Sequence, residues 1–71
     1  MDSAIFRERL KKLREDKNIS AESLSLEMEF DKNCIWLWEN GKRKPNVASI
    51  YKIAKYFNVT SDYLLGLSDK K

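Results

Sequence analysis

Residues 20 to 41 read Ser20-Ala21-Glu22-Ser23-Leu24-Ser25-Leu26-Glu27-Met28-Glu29-Phe30-Asp31-Lys32-Asn33-Cys34-Ile35-Trp36-Leu37-Trp38-Glu39-Asn40-Gly41. The fold turns on how this stretch is punctuated. Ser20 is placed to cap a helix, because its hydroxyl can accept from a backbone N–H inside the first turn. The helix it opens, residues 21 to 28, puts Leu24 and Met28 on one apolar stripe. Glu29 and Phe30 make a short turn, and Asp31 is a good N-cap for a second helix over residues 32 to 40. Gly41 stops that helix. The stretch therefore predicts two short helices joined by a tight turn.

The same punctuation extends outward in both directions. Upstream, Phe6, Leu10 and Leu13 recur at spacings of four and three. They form one apolar face opposite Arg7, Glu8, Lys11 and Lys12, which predicts a helix over residues 3 to 17 ended by Asn18. Downstream, Gly41-Lys42-Arg43-Lys44-Pro45 is a basic loop. Asn46 can cap a fourth helix whose apolar face carries Val47, Ile50, Ile53, Ala54 and Phe57. Val59 leads into a last short helix through Asp62, Tyr63, Leu64 and Leu65, with Gly66 as its terminator. No β-type alternation bounded by turns appears. The expectation is an all-α chain, a single domain over residues 1 to 71 with five helices in one compact cluster, since connections this short keep neighbouring helices adjacent.

Composition excludes most chemistry. Cys34 is the only cysteine and there is no histidine, so no intrachain disulfide, no Cys/His zinc site and no imidazole catalyst can be assembled. No glycine-rich phosphate loop is present either, and no acid, base and nucleophile converge in the pattern. The expectation is a protein that is no enzyme and that needs neither metal nor cofactor. The N-terminus is charged from Asp2 through Arg7 to Lys17, unlike a signal peptide, and the apolar runs are too short to cross a bilayer. With a lone thiol suited to a reducing compartment, the chain reads as cytoplasmic.

The net charge of +3 is mild, so its distribution matters more than its sum. Residues 1 to 19 carry six basic and four acidic side chains; residues 20 to 41 carry one basic and five acidic; residues 42 to 71 carry seven basic and two acidic. A basic balance points to nucleic acid, but only the flanks have it. The basic residues sit at both ends of the chain and not along one amphipathic face, which argues against a membrane surface.

Two short helices with a turn of this length meet the requirement of a helix-turn-helix unit, in which the first helix braces on the backbone of DNA and the second lies in the major groove. A more specific signal is the run Ile35, Trp38-Glu39-Asn40-Gly41, Lys44-Pro45, Ile53-Ala54, Val59 and Ser61-Asp62-Tyr63-Leu64-Leu65-Gly66. In these positions the chain closely resembles the phage-repressor-like helix-turn-helix family, the Cro and repressor type, from residue 5 to residue 67. The resemblance implies five helices around one core, with residues 20 to 40 as the DNA-reading unit of a bacterial or phage regulator. It also implies an ion pair between Arg14 and Glu39 that ties the first helix to the end of the third. The bland alternative is two solvated surface charges.

Helical geometry selects the outward face of the third helix. At about 100° per residue, Ile35 and Trp38 point one way, with Glu39 nearby, while Asn33, Trp36, Leu37 and Asn40 fall on the opposite side. On that face Asn33 can make a bidentate contact to adenine, Trp36 and Leu37 offer apolar surface to a thymine methyl, and Lys32 can reach a guanine edge or a phosphate. Asn40, Lys42, Arg43 and Lys44 are the candidate phosphate contacts, joined by main-chain amides at the starts of the second and fourth helices. Against these stand plainer readings: Lys32 and Asn33 as ordinary solvated residues, the Lys-Arg-Lys loop as a solubilising run, and Cys34 as a small packed residue.

Four features depart from the family pattern. Ala21 stands where a phosphate-contacting glutamine is usual. Glu29 stands where a glycine is usual, so it must take a strained backbone or the turn must differ. Ser25 replaces a small alanine. Trp36-Leu37 replaces polar or basic residues, leaving three readings for Trp36: folded back over the second helix, in contact with bases, or part of a patch for another protein. Tyr51, Tyr56 and Tyr63 read as partial core and interface. The apolar tail Tyr63, Leu64, Leu65 and Leu67, with the resemblance, implies a homodimer on a palindromic operator in double-stranded DNA. Two functions are thus expected to compete: a sequence-specific transcriptional regulator, acting as a repressor, and a protein-interaction module that keeps the fold without reading DNA and meets its partner through Trp36 and Leu37. The regulator is the leading expectation.

Overall fold

The computed structural model describes residues 3–71; Met1 and Asp2, where the charged N-terminal segment begins, lie outside the described residues. Five helices run in order: α1 (Ser3–Asp16), α2 (Ala21–Glu27), α3 (Cys34–Glu39), α4 (Val47–Phe57) and α5 (Ser61–Leu65). No strand occurs among the described residues, and none of their helices is long and apolar enough to cross a membrane. The radius of gyration is 10.8 Å, close to the roughly 11 Å of a folded chain of this length.

The helices begin where side chains supply the missing acceptors for first-turn N–H groups. Ser20 Oγ accepts from Ser23 N–H at 3.0 Å, Asn46 Oδ1 from Ser49 N–H at 2.8 Å, and Thr60 Oγ1 from Tyr63 N–H at 3.0 Å. The Thr60 cap was not among the sequence signals. The third helix starts at Cys34, two residues later than expected, because Lys32 and Asn33 form a turn. Asp31 still serves this start: its Oδ1 accepts from Asn33 N–H at 3.2 Å and its carbonyl from Cys34 N–H at 2.9 Å.

All five helices end in the same way. Asn18, Glu29, Gly41, Asn58 and Gly66 take positive φ, between 55° and 80°. After each, the next N–H reaches back five residues: Ile19 to Arg14, Phe30 to Ser25, Lys42 to Leu37, Val59 to Ala54 and Leu67 to Asp62, at 2.8 to 3.3 Å. This is the left-handed C-terminal closure that favours glycine and tolerates asparagine. Four of the five positions follow that preference. The fifth, Glu29 at φ 62°, is the position where the sequence sets a glutamate against the usual glycine.

Each helix contributes to one core. Phe6, Leu10 and Leu13 of α1 meet Leu24 and Met28, Cys34, Ile35 and Trp38, Ile50, Ile53 and Ala54, and Tyr63 and Leu64. Trp38 packs edge-on against Phe30, with ring centroids 5.2 Å apart, an arrangement favoured by the ring quadrupoles. Lys52 of α4 closes the turn from the other side: its Nζ donates to Met28 O at 2.9 Å and lies over the Phe30 ring at 4.8 Å.

Three expectations about burial are corrected. Val47, expected on the apolar face of the fourth helix, is 84% exposed, since it opens the first turn directly after Asn46 and no other element covers it. Tyr51 is exposed rather than part of the core, whereas Tyr56 is half-buried and Tyr63 buried. Of the apolar tail, Tyr63 and Leu64 are consumed by the core, so only half-buried Leu65 and Leu67, 75% exposed, remain as outward apolar surface.

Candidate nucleic-acid interface

The outward side of α3 follows from what its inward side buries. Cys34, Ile35 and Trp38 are in the core. Asn33 and Asn40 are exposed, Leu37 is half-buried, and Trp36 is 50% exposed. Lys32, in the turn before the helix, is exposed, as are Lys42, Arg43 and Lys44 beyond it. The chain thus presents Lys32, Asn33, Trp36, Leu37 and Asn40 around one short helix and follows them directly with three basic side chains. Asn40 turns part of its amide inward, donating from Nδ2 to Trp36 O at 2.9 Å. Asn40 and Gly41 after it are both exposed.

Two polar contacts hold α3 in place. At its C-terminal end Arg14 Nε donates to Glu39 Oε2 at 2.7 Å and Arg14 Nη2 to Glu39 Oε1 at 3.0 Å. This is the forked geometry that makes arginine–carboxylate pairs directional. Both side chains are largely screened from water, so the alternative of two solvated charges does not describe them. Arg14 Nη1 also donates to Ile19 O at 2.9 Å, which joins the α1–α2 connection to the same node. The hydrogen bonds it donates to Glu39 hold the Arg14 guanidinium above its ordinary pKa, against the opposing effect of burial.

At the N-terminal end of α3 the contact comes from Ser25, which the sequence marked only as standing in place of a small alanine. Its hydroxyl is fully buried; it donates to Ala21 O at 2.9 Å and accepts from Ile35 N–H at 3.0 Å. The signal was available in the spacing. Ser25 lies three residues before Met28 and beside Leu24, on the buried stripe of α2, where a hydroxyl needs a partner.

Cys34 is a buried free thiol. Burial pushes its pKa up, while the nearby Arg43 guanidinium pulls it down through its charge and hydrogen bonding. Burial is the larger influence, so the net shift is upward. Elsewhere, a groove of about 400 Å³ is lined by Glu27, Met28, Glu29, Tyr51, Lys52, Lys55 and Tyr56. None of these residues belongs to α3 or to the basic loop. Among the described residues no acidic or cysteine side chains gather as a metal site.

A five-helix cluster in which α2 and α3 form a tight pair, with α3 mounted at both ends and its far face exposed, defines a helix-turn-helix domain. The family model for the helix-turn-helix domain matches residues 8–70, and the chain belongs to that family. Over 60 residues it is 42% identical to the HTH-type transcriptional activator BcrR of Enterococcus faecalis. The match takes in 84% of this chain but only 29% of that protein, so the chain spans less than a third of its curated relative. Among solved structures it is similar to the restriction-modification controller protein C.AhdI from Aeromonas hydrophila, with a TM-score of 0.78 and 28% identity over 89% of this chain and 96% of the other. It also superposes on a hypothetical transcription factor, NHTF, from Neisseria, with a TM-score of 0.82 over 89% of this chain and 72% of that one. At 22% identity the second likeness is one of fold. The repressor-like five-helix architecture expected from Trp38-Glu39-Asn40-Gly41 and its neighbours is therefore the observed one.

Proposed function

We propose that this chain is the DNA-reading module of a transcriptional regulator, and that it acts by binding without catalysing a reaction. The observation that carries the reading is the exposed face of α3, followed at once by Lys42, Arg43 and Lys44, all exposed. In this reading α3 lies in the major groove. Asn33 reads a base edge through its amide, Trp36 and Leu37 pack on thymine methyls, and Lys32 reaches a guanine or a phosphate. Asn40 and the three basic residues hold the phosphates and set register. Arg14 and Glu39 keep the helix at its angle. The kinship with proteins whose names describe transcription activation and restriction-modification control supports regulation as the outcome.

The fuller form of the reading is a homodimer on a palindromic operator, with two half-sites about one helical turn apart, working in the cytoplasm. Leu65 and Leu67 supply the outward apolar surface for the pairing. Bound over a promoter, such a dimer represses by excluding polymerase.

A second reading has its own observation. The segment from Ser20 to Gly41 carries five acidic side chains against one basic, and Leu26 and Trp36 are exposed, at 58% and 50%. That surface would suit a protein partner with a basic rim. Selection from random duplex DNA, repeated with Asn33→Ala and Trp36→Ala, separates the two. Groove reading requires that the wild type enriches a defined sequence and that the variants lose preference while keeping salt-sensitive binding. Failure of the wild type to bind any duplex at low salt favours the protein partner.

A further inference from the structure

We propose that Ser25 is a positioning residue for base reading, its buried hydroxyl fixing the first turn of α3 against α2 and thereby the placement of Lys32, Asn33 and Trp36. The inference rests on the DNA reading above and adds to it a determinant of specificity that touches no DNA.

The first N–H groups of a helix have no partner within it. In α3 those of Asn33 and Cys34 are taken by the side chain and carbonyl of Asp31. The next, Ile35 N–H, is taken by Ser25 Oγ. The Ser25 hydroxyl has no freedom to wander, because its own proton is committed to Ala21 O one turn back on α2. Such back-bonding sets the rotamer of a helical serine, so the lone pair that receives Ile35 N–H points in a direction fixed by α2. Ile35 is itself fully buried, which makes the joint rigid on both sides.

With Glu39 clasped by Arg14 at the other end, a helix of six residues is held at two points. Two points define its axis. The end held by Ser25 is the end that carries Asn33, whose contact to a base tolerates little displacement. An alanine at 25 keeps the packing but leaves Ile35 N–H buried without an acceptor. The first turn of α3 then relieves that deficit by shifting toward water.

The test measures discrimination, the ratio of affinities of the 71-residue chain for a duplex recovered by selection from random sequences and for a scrambled version of it. The wild type, Ser25→Ala, Ser25→Cys and Thr60→Ala are compared well below their melting temperatures. Ser25→Cys fills the site with a poorer acceptor and guards against misfolding of the alanine variant. Thr60→Ala removes the α5 cap and serves as a variant of similar stability loss outside the reading unit. The expected result is a fall in discrimination of about five-fold in both Ser25 variants, faster hydrogen exchange at Ile35 N–H, an unchanged salt slope, and wild-type discrimination in Thr60→Ala. If the folded Ser25 variants melt earlier yet discriminate as the wild type does, the hydroxyl is only structural and the proposal is overturned. If the wild type shows no discrimination, the DNA reading itself falls and takes this proposal with it.

Discussion

Glu29 holds the left-handed position that closes α2, with φ at 62°, where a side chain crowds its own backbone by about 1 to 2 kcal/mol. Its side chain is exposed, so nothing in the core compensates at that atom. Replacing Glu29 with Gly should raise stability by about 1 kcal/mol, read as a higher urea midpoint at unchanged slope; a lower midpoint would mean the carboxylate has a stabilising partner. Cys34 makes an opposite kind of prediction. Burial raises its thiol pKa above the ordinary value of 9.0, so the folded state keeps the proton longer than the unfolded one. That contribution to stability is complete below the unfolded pKa and is lost as pH rises through the folded value. Because the Cys34 side chain is also buried, a chromogenic disulfide reagent at about pH 8 should react only as the chain opens, and rapid labelling of the native protein would refute the protected thiol. Both residues were legible in the sequence, Glu29 because it stands in a turn where glycine is usual and Cys34 because it read as a small packed residue on the third helix. Ser25 was undervalued because pattern alone does not show which backbone N–H will face a hydroxyl.

At the scale of the elements, the question is what holds a six-residue helix in a fixed attitude. Local propensity cannot, since isolated helices this short are unstable in water. Its attitude comes from three burials, Cys34, Ile35 and Trp38, and from the hydrogen bonds at Ser25 and Glu39. Glu39→Ala leaves the Arg14 guanidinium without its carboxylate and should cost about 2 kcal/mol in thermal or urea unfolding. Glu39→Gln, which keeps one acceptor, should cost less. Equal losses in the two variants would show that packing at position 39, and not the ion pair, is what matters. The inward and outward sides of α3 were readable from the turn angle alone. The Val47 assignment failed because periodicity describes a whole helix, whereas coverage of its first turn depends on where the neighbouring elements stop. The late start of α3 has a similar cause: Asp31 caps a turn before it caps a helix, and spacing does not tell these apart.

Across the whole molecule, charge is divided along the chain. The helix-turn-helix segment is acidic and the loop after it basic, so in the proposed reading affinity for a polyanion comes mainly from the loop. Replacing Lys42, Arg43 and Lys44 together with alanine should weaken binding to all duplexes alike and flatten the log-log salt dependence by about 0.9 for each phosphate no longer neutralised. A change confined to the preferred sequence would instead make these residues base readers. The proposed dimer would rest on less apolar surface than the sequence suggested, because Tyr63 and Leu64 lie in the core. Leu67→Glu should shift sedimentation toward the monomer and weaken binding to a two-half-site duplex more than to a single half-site; an unchanged assembly would move the dimer interface away from α5. The division of charge was visible in the sequence, but which apolar residues remained outside was not, since that depends on how α5 meets α1 and α4.

Whether the outward face of α3 meets DNA, as proposed, can be read most directly from backbone amide shifts recorded during titration with a selected duplex. The largest changes are expected at Lys32, Asn33, Trp36, Leu37 and Asn40 and through Lys42 to Lys44, with α4 residues such as Tyr51 and Lys55 nearly still. Changes centred on α4 and α5, or none on α3, would contradict the proposal.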